Sequence, residues 1–208
     1  TVLDAGFLEN HPGSILFKRG NAIVARDQIP STHIIHRLYI SPEFQSFIAE
    51  CCNVAKIYPM AEPLACLVVI VLDPGREHPW HFDTNAYTVS LLTQRAEKGG
   101  TFEFCPGIRT PDSENFEAVR DVLTGQGGDR VRSLNLQLGD LQLFRGRYSL
   151  HRVAKVEGAR ARLTAIFAYC EQLGIIGSVA RTRQLFGRVL QDHEVEEHAT
   201  VRADALLD

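Results

Sequence analysis

The 208-residue sequence contains no CxxC pair, and its five cysteines, Cys51, Cys52, Cys66, Cys105 and Cys170, are odd in number. Neither a disulfide framework nor a zinc knuckle is indicated. Long apolar runs are also missing: the longest, Leu64 to Leu72, falls far short of the roughly 18 residues a membrane-spanning helix needs. Charge is nearly balanced at −3, so there is no basic footprint for nucleic acid. The N-terminus lacks a basic-then-apolar secretory pattern, and with the cysteine usage this points to a reducing cytoplasm. GQGGD (125–129) lacks the lysine and hydroxyl of a phosphate loop. No G-x-S-x-G elbow supports a hydrolase, and Ser149 is adjacent to His151 in the chain rather than opposed to it. HEVEEH (193–198) spaces His193 and His198 at i and i+5, whereas a helical zinc site needs i and i+4. That stretch reads as a solvated, acidic helical surface.

What is present is ordinary globular sequence, 45% hydrophobic and 23% charged, long enough for one domain over 1–208 with a real core. Residues 1–64 form a flanking segment with short extended pieces, SILF and AIVA. Ser41-Pro42-Glu43 then opens a helix: N-cap residue, proline at the first helical position, acid at the positive end. That helix is expected to run to about Lys56. CLVVIVL (66–72) reads as a strand buried on both faces, with Cys66 a small buried hydrophobe. DPGREHP (73–79) is a turn, HFDTNAYTVSLLTQ (81–94) a long strand and TFEF (101–104) a short one. LNLQL (134–138), LQLF (141–144) and ARLTAIFAY (161–169) complete the series, with one short helix near 114–123. After Gly177 the pattern is helical to the end. Many short strands separated by turns predict a mainly β barrel or sandwich core over about 65–170, flanked by helices.

The candidate chemistry starts at His81 and Asp83 in HPWHFDTN (78–85). Two residues apart on a strand, both would project from one face, offering a nitrogen and a hard oxygen donor to one metal. An isolated HxD is weak evidence, since an exposed strand end can carry such a pair. His151, in GDLQLFRGRYSLHRV, supplies a third ligand after a strand-turn-strand. Arg162, ten intervening residues further on, shares a strand face with Thr164 amid apolar neighbours. A buried arginine is costly without an anion, so a carboxylate is expected there.

With HxD, a distant His and RxT in this order, the sequence resembles the non-haem Fe(II), 2-oxoglutarate-dependent oxygenases. Over roughly residues 65–170 the HWHFD-like and GDLxLFRGxxSLHRVxxVEGxRxR text is similar to a bacterial subgroup found in natural-product biosynthesis. The resemblance implies a double-stranded β-helix (jelly roll, cupin-like). It implies His81, Asp83 and His151 as the ligands of Fe(II), with Arg162 and Thr164 holding the distal carboxylate of the cosubstrate 2-oxoglutarate, and O2 as the oxidant. It further implies a small, amino-acid-like substrate that is hydroxylated, desaturated or cyclised. Relatives that halogenate replace the aspartate with a small residue, so Asp83 favours hydroxylation-type chemistry.

Further expectations are local. Trp80 could line the pocket mouth while Phe82 turns into packing. Arg145, among a group including Arg130, Arg132, Arg147, Arg152 and Arg160, could steer an anionic substrate. The 105–133 stretch is long enough to act as a lid. His78 falls in the turn, as a bystander, and His33 and His36 sit at the surface or core edge. The apolar side of the tail would be covered by the barrel or by a second subunit, giving a homodimer. Two other readings keep the same residues: a cupin-like metal-binding sensor or isomerase, which needs no anion site at Arg162, and a non-catalytic interaction domain.

Overall fold

A computed structural model describes residues 21–191 together with His193 and Leu206; SILF, His198 and most of the tail lie outside the described residues. Strands dominate. The larger sheet orders β1 (Ala22–Val24), β3 (Leu67–Leu72), β12 (Arg162–Cys170), β5 (Tyr87–Gln94) and β9 (Leu141–Phe144), with β2 (Tyr58–Pro59) paired to β12. The smaller sheet orders β4 (His78–His81), β10 (Leu150–Val153), β7 (Phe102–Cys105) and β8 (Arg132–Leu134). β6 (Lys98–Gly99) and β11 (Val156–Glu157) form a separate ribbon. The expected mainly β, double-stranded β-helix core is what the chain forms.

Period-two alternation explains how the large sheet separates two environments. On β12, Ala165, Phe167 and Tyr169 face outward into a cluster with Tyr39, Ile48 and Val89. That cluster is roofed by α1 (Ile34–Ile40) and α2 (Pro42–Cys51). The alternate residues Arg162, Thr164, Ile166 and Ala168 face inward and line a cavity between the sheets. Val68, Ile70 and Leu72 of β3 join Phe102 and Val153 in the apolar part of that interior. Cys66 is buried, as expected.

Several boundaries differ from the sequence reading. The predicted N-cap is present, Ser41 Oγ accepting from the Phe44 amide at 3.2 Å. However, α2 stops at Cys51 instead of Lys56, because Asn53 adopts a left-handed φ of 54° and turns the chain out. The long strand predicted over 81–94 is two strands, broken at 82–86, and β4 starts inside the presumed turn, at His78. LNLQL is strand only at Leu134; a turn closed by Asp140 Oδ2 on the Gln137 amide (2.7 Å) takes over, leaving Leu138 exposed.

The 105–133 insertion is a buttress, not a lid. Its helix α3 (Phe116–Leu123) puts Val119 and Val122 into a cluster with Cys105, Ile108 and Leu150 on the outer side of the small sheet, and none of its residues lines the inner cavity. After Gly177 the described residues form α4 (Val179–Phe186), capped by Ser178 and ended at Gly187 with φ 69°, and Gln191 and His193 are helical again. Val189 and Leu190 therefore lie beyond the helix. No helix among the described residues is long and apolar enough to cross a membrane.

Candidate metal centre

His81 ends β4, Asp83 sits in the turn that follows and His151 lies on β10, whose register sets His151 opposite His81. Their ligand atoms all lie within 4.8 Å of one another. Asp83 Oδ1 stands 3.6 Å from His81 Nε2 and 3.5 Å from His151 Nε2. The HxD pair thus converges, but not as two positions of one strand: the Asp83 amide donates to the Gly146 carbonyl at 3.1 Å, and this bond aims the turn. Gly146 is required there, since a Cβ would collide with Asp83 Oδ2 and Thr88 Oγ1.

The atoms around the triad select its donors. His81 Nδ1 donates to the Pro79 carbonyl and His151 Nδ1 to the Ser149 carbonyl, each at 2.8 Å. A carbonyl only accepts, so each Nδ1 carries a proton and each Nε2, turned toward Asp83, is the nitrogen left to bind a metal. Thr88 Oγ1 donates to Asp83 Oδ2 at 2.5 Å and is itself held by Asn85 Nδ2 at 2.9 Å. One carboxylate oxygen is occupied and the other, Oδ1, points between the imidazoles. Burial, reinforced by the cations that His78 and His151 would become, holds His81 well below the ordinary histidine range. Burial opposes the Asp83 carboxylate, but His151, then His81 and Thr88, outweigh it and keep Asp83 below the usual carboxylate range. Two neutral imidazoles and one carboxylate, with supporting hydrogen bonds in place, fit a divalent first-row metal such as Fe(II).

A cavity of about 530 Å³ opens in front of these three residues. Arg162 reaches into it, buried at 5% exposure, and donates to the Thr164 hydroxyl. Among the described residues no carboxylate pairs with Arg162, and burial alone pushes its pKa down to about 10. A guanidinium so placed can hold an anion.

The other expected residues are placed differently. His78 is no bystander: it lines the same cavity and its ring stacks on His81 at 4.1 Å. A bulge makes this so, since β10 spans two residues from His151 to Val153 where β4 spans three from His81 to His78. Trp80 packs in the outer cluster beneath Arg152, and Arg145 stacks on Tyr148; neither lines this cavity. Phe82 does turn into packing, under Arg109. Arg147 is buried and Arg152 pairs with Glu103.

Besides Arg162, the cavity's cationic side chains come from the segment carrying α4, as Arg181 and Arg188. Glu62, which nothing in the sequence marked, is 1% exposed and joins this wall to the barrel. It accepts from the Leu64 amide (3.1 Å) and the Thr182 hydroxyl (3.2 Å) and meets His193 Nε2 at 2.6 Å. His193 is therefore fully buried, not part of a solvated surface. His36 is buried too, whereas His33 is exposed and caps α1.

Such a triad inside a double-stranded β-helix defines the fold of the 2-oxoglutarate/Fe(II) oxygenases, and comparisons agree. The chain belongs to the Halogenase D family, whose pattern matches residues 17–181. Solved structures with this fold include a 2OG-Fe(II) oxygenase family oxidoreductase from Burkholderia pseudomallei (14% identity, TM-score 0.51). It is matched over 73% of this chain and 65% of that one. AviO1 from Streptomyces viridochromogenes Tue57 matches at 17% identity and TM-score 0.54, over 73% of this chain and 67% of its own. SnoN, a non-heme alpha ketoglutarate dependent epimerase from nogalamycin biosynthesis, matches at 16% and 0.54, over 71% and 60%. This chain thus spans about two thirds of their length or less. No curated protein matches it.

Proposed function

We propose that the protein is an Fe(II)- and 2-oxoglutarate-dependent oxygenase that hydroxylates an unactivated C–H bond of a small, amino-acid-like metabolite. The observation that carries this reading is the pairing of a preset His81–Asp83–His151 donor set with an anion site at Arg162 in one cavity. A cupin-like sensor or isomerase would have no use for a buried, uncompensated guanidinium beside its metal.

His81 Nε2, Asp83 Oδ1 and His151 Nε2 would hold the iron, and Arg162 with Thr164 the distal carboxylate of 2-oxoglutarate. When bound, the iron supplies the redox chemistry that splits O2 between two products: one oxygen atom enters succinate as CO2 leaves, and the other enters the substrate C–H bond. The chain's own contribution is placement. Ile166 and Ala168 continue the Arg162–Thr164 face of β12, and Leu185 and Phe186 line the same cavity, so an apolar substrate body can be held before the metal.

The family carries a halogenase's name, and one related fold is an epimerase's. Asp83 supports hydroxylation over halogenation, since its carboxylate fills the position a halide would take. In an assay of succinate formation with Fe(II), His81→Ala and Asp83→Ala should abolish turnover; undiminished turnover in both would sink the proposal. Arg162→Ala should raise the 2-oxoglutarate requirement by orders of magnitude, as loss of a buried charge-assisted pair costs about 2–5 kcal/mol.

A further inference from the structure

A second cavity of about 430 Å³, open to the surface, is lined by Phe104, Pro106, Pro111, Leu143, Phe144 and Tyr148, with Pro106, Thr110 and Pro111 at its exposed rim. Among the described residues Phe144 alone fronts both cavities. Its ring meets His151 edge-on at 4.8 Å between centroids and lies 5.3 Å from Phe102. Ser149, whose carbonyl fixes the His151 tautomer, belongs to the wall of the second cavity. One aromatic ring therefore separates this cavity from a metal ligand.

Its chemistry differs from that of the first. Rings, prolines and Leu143 make most of its surface, and its two arginines are turned to partners: Arg109 to Glu114, the Arg147 carbonyl and the Phe82 ring, Arg145 to the Tyr148 ring. Such a space suits a small apolar solute.

We propose that this second cavity is the entry route for dioxygen, with Phe144 as its gate. The inference rests on the oxygenase reading. Under that reading the Arg162 anion site, the metal triad and the substrate share the first cavity, so a gas arriving last would find its mouth filled. The second cavity ends at Phe144, whose far edge meets His151, and depends on neither occupant. In this route the Phe144 ring, which lines both cavities, turns aside to let the gas pass.

Two measurements test it. Crystals pressurised with xenon, an apolar stand-in for O2, should show xenon in the second cavity beside Phe144. In anaerobic protein loaded with Fe(II) and 2-oxoglutarate, the metal-to-ligand absorption band should bleach on mixing with oxygenated buffer. Thr110→Trp, which fills the outer mouth far from the metal, should slow that bleaching several-fold without weakening 2-oxoglutarate binding. Phe144→Ala should speed it. Xenon absent from this cavity, or Thr110→Trp bleaching at the wild-type rate, overturns the proposal. Failure of the wild type to form the band sinks the oxygenase reading itself, and the gas route with it.

Discussion

Thr88 shows how much of a metal site can lie one bond away from the metal. Its hydroxyl takes one oxygen of Asp83 and leaves the other for the imidazoles, and Asn85 in turn fixes the hydroxyl. Thr88→Val keeps the shape of β5 but frees the carboxylate to rotate. Fe(II) affinity, measured anaerobically by calorimetry, should fall about 10- to 100-fold, with the fold unchanged by circular dichroism. Wild-type affinity would mean that Gly146 and the turn alone hold Asp83. Thr88 also marks what the sequence conveys at this scale. His81, Asp83, His151, Arg162 and Thr164 could be singled out because HxD, a distant His and RxT stand in the order of a family the sequence resembles, and the fold brings all five to one cavity. Thr88 and Glu62 were not, because a hydroxyl in a β-rich run and an acid before an apolar strand are each common, and only their burial distinguishes them.

Elements were legible where a repeat of two or a cap set them, and hidden where one residue broke the repeat. β12 has inner and outer faces that follow directly from alternation. β4 does not: the bulge at Pro79–Trp80 brings His78 onto the face of His81, whereas alternation alone places His78 on the other face together with Trp80. The tail is a related case, since an amphipathic pattern states that a helix needs cover without stating whose. Here Glu62 supplies the fastening, gathering the Leu64 amide, Thr182 on α4 and His193 around one buried carboxylate. Glu62→Ala strands three buried polar groups and should cost about 3 kcal/mol of stability. Amide exchange should quicken most in α4, and substrate-side contacts should weaken before metal binding does. Exchange in α4 that matches wild type would show that this wall is held by other contacts.

At the scale of the whole molecule, the site is bought with stability, and Arg162 is where this can be measured. Burial drops its pKa from the ordinary arginine range to about 10, with no charged partner among the described residues to offset it. The shift corresponds to a penalty of about 3 kcal/mol on the charged, folded form. Because the folded pKa is the lower one, the penalty is fully present below about pH 10 and relieved as pH rises above it. A dicarboxylate relieves it at neutral pH by supplying the missing charge. Replacing Arg162 with an apolar side chain of similar length relieves it permanently. Arg162→Met should therefore make the ligand-free protein more stable than wild type, by about 1–2 kcal/mol once the Thr164 hydroxyl left behind is allowed for. In a chain of this length that is a rise in Tm of about 3–6 °C. The same variant should lose the upward shift in Tm that 2-oxoglutarate gives the wild type. A variant less stable than wild type would show that the guanidinium is satisfied without a ligand, and the anion site would lose its physical basis.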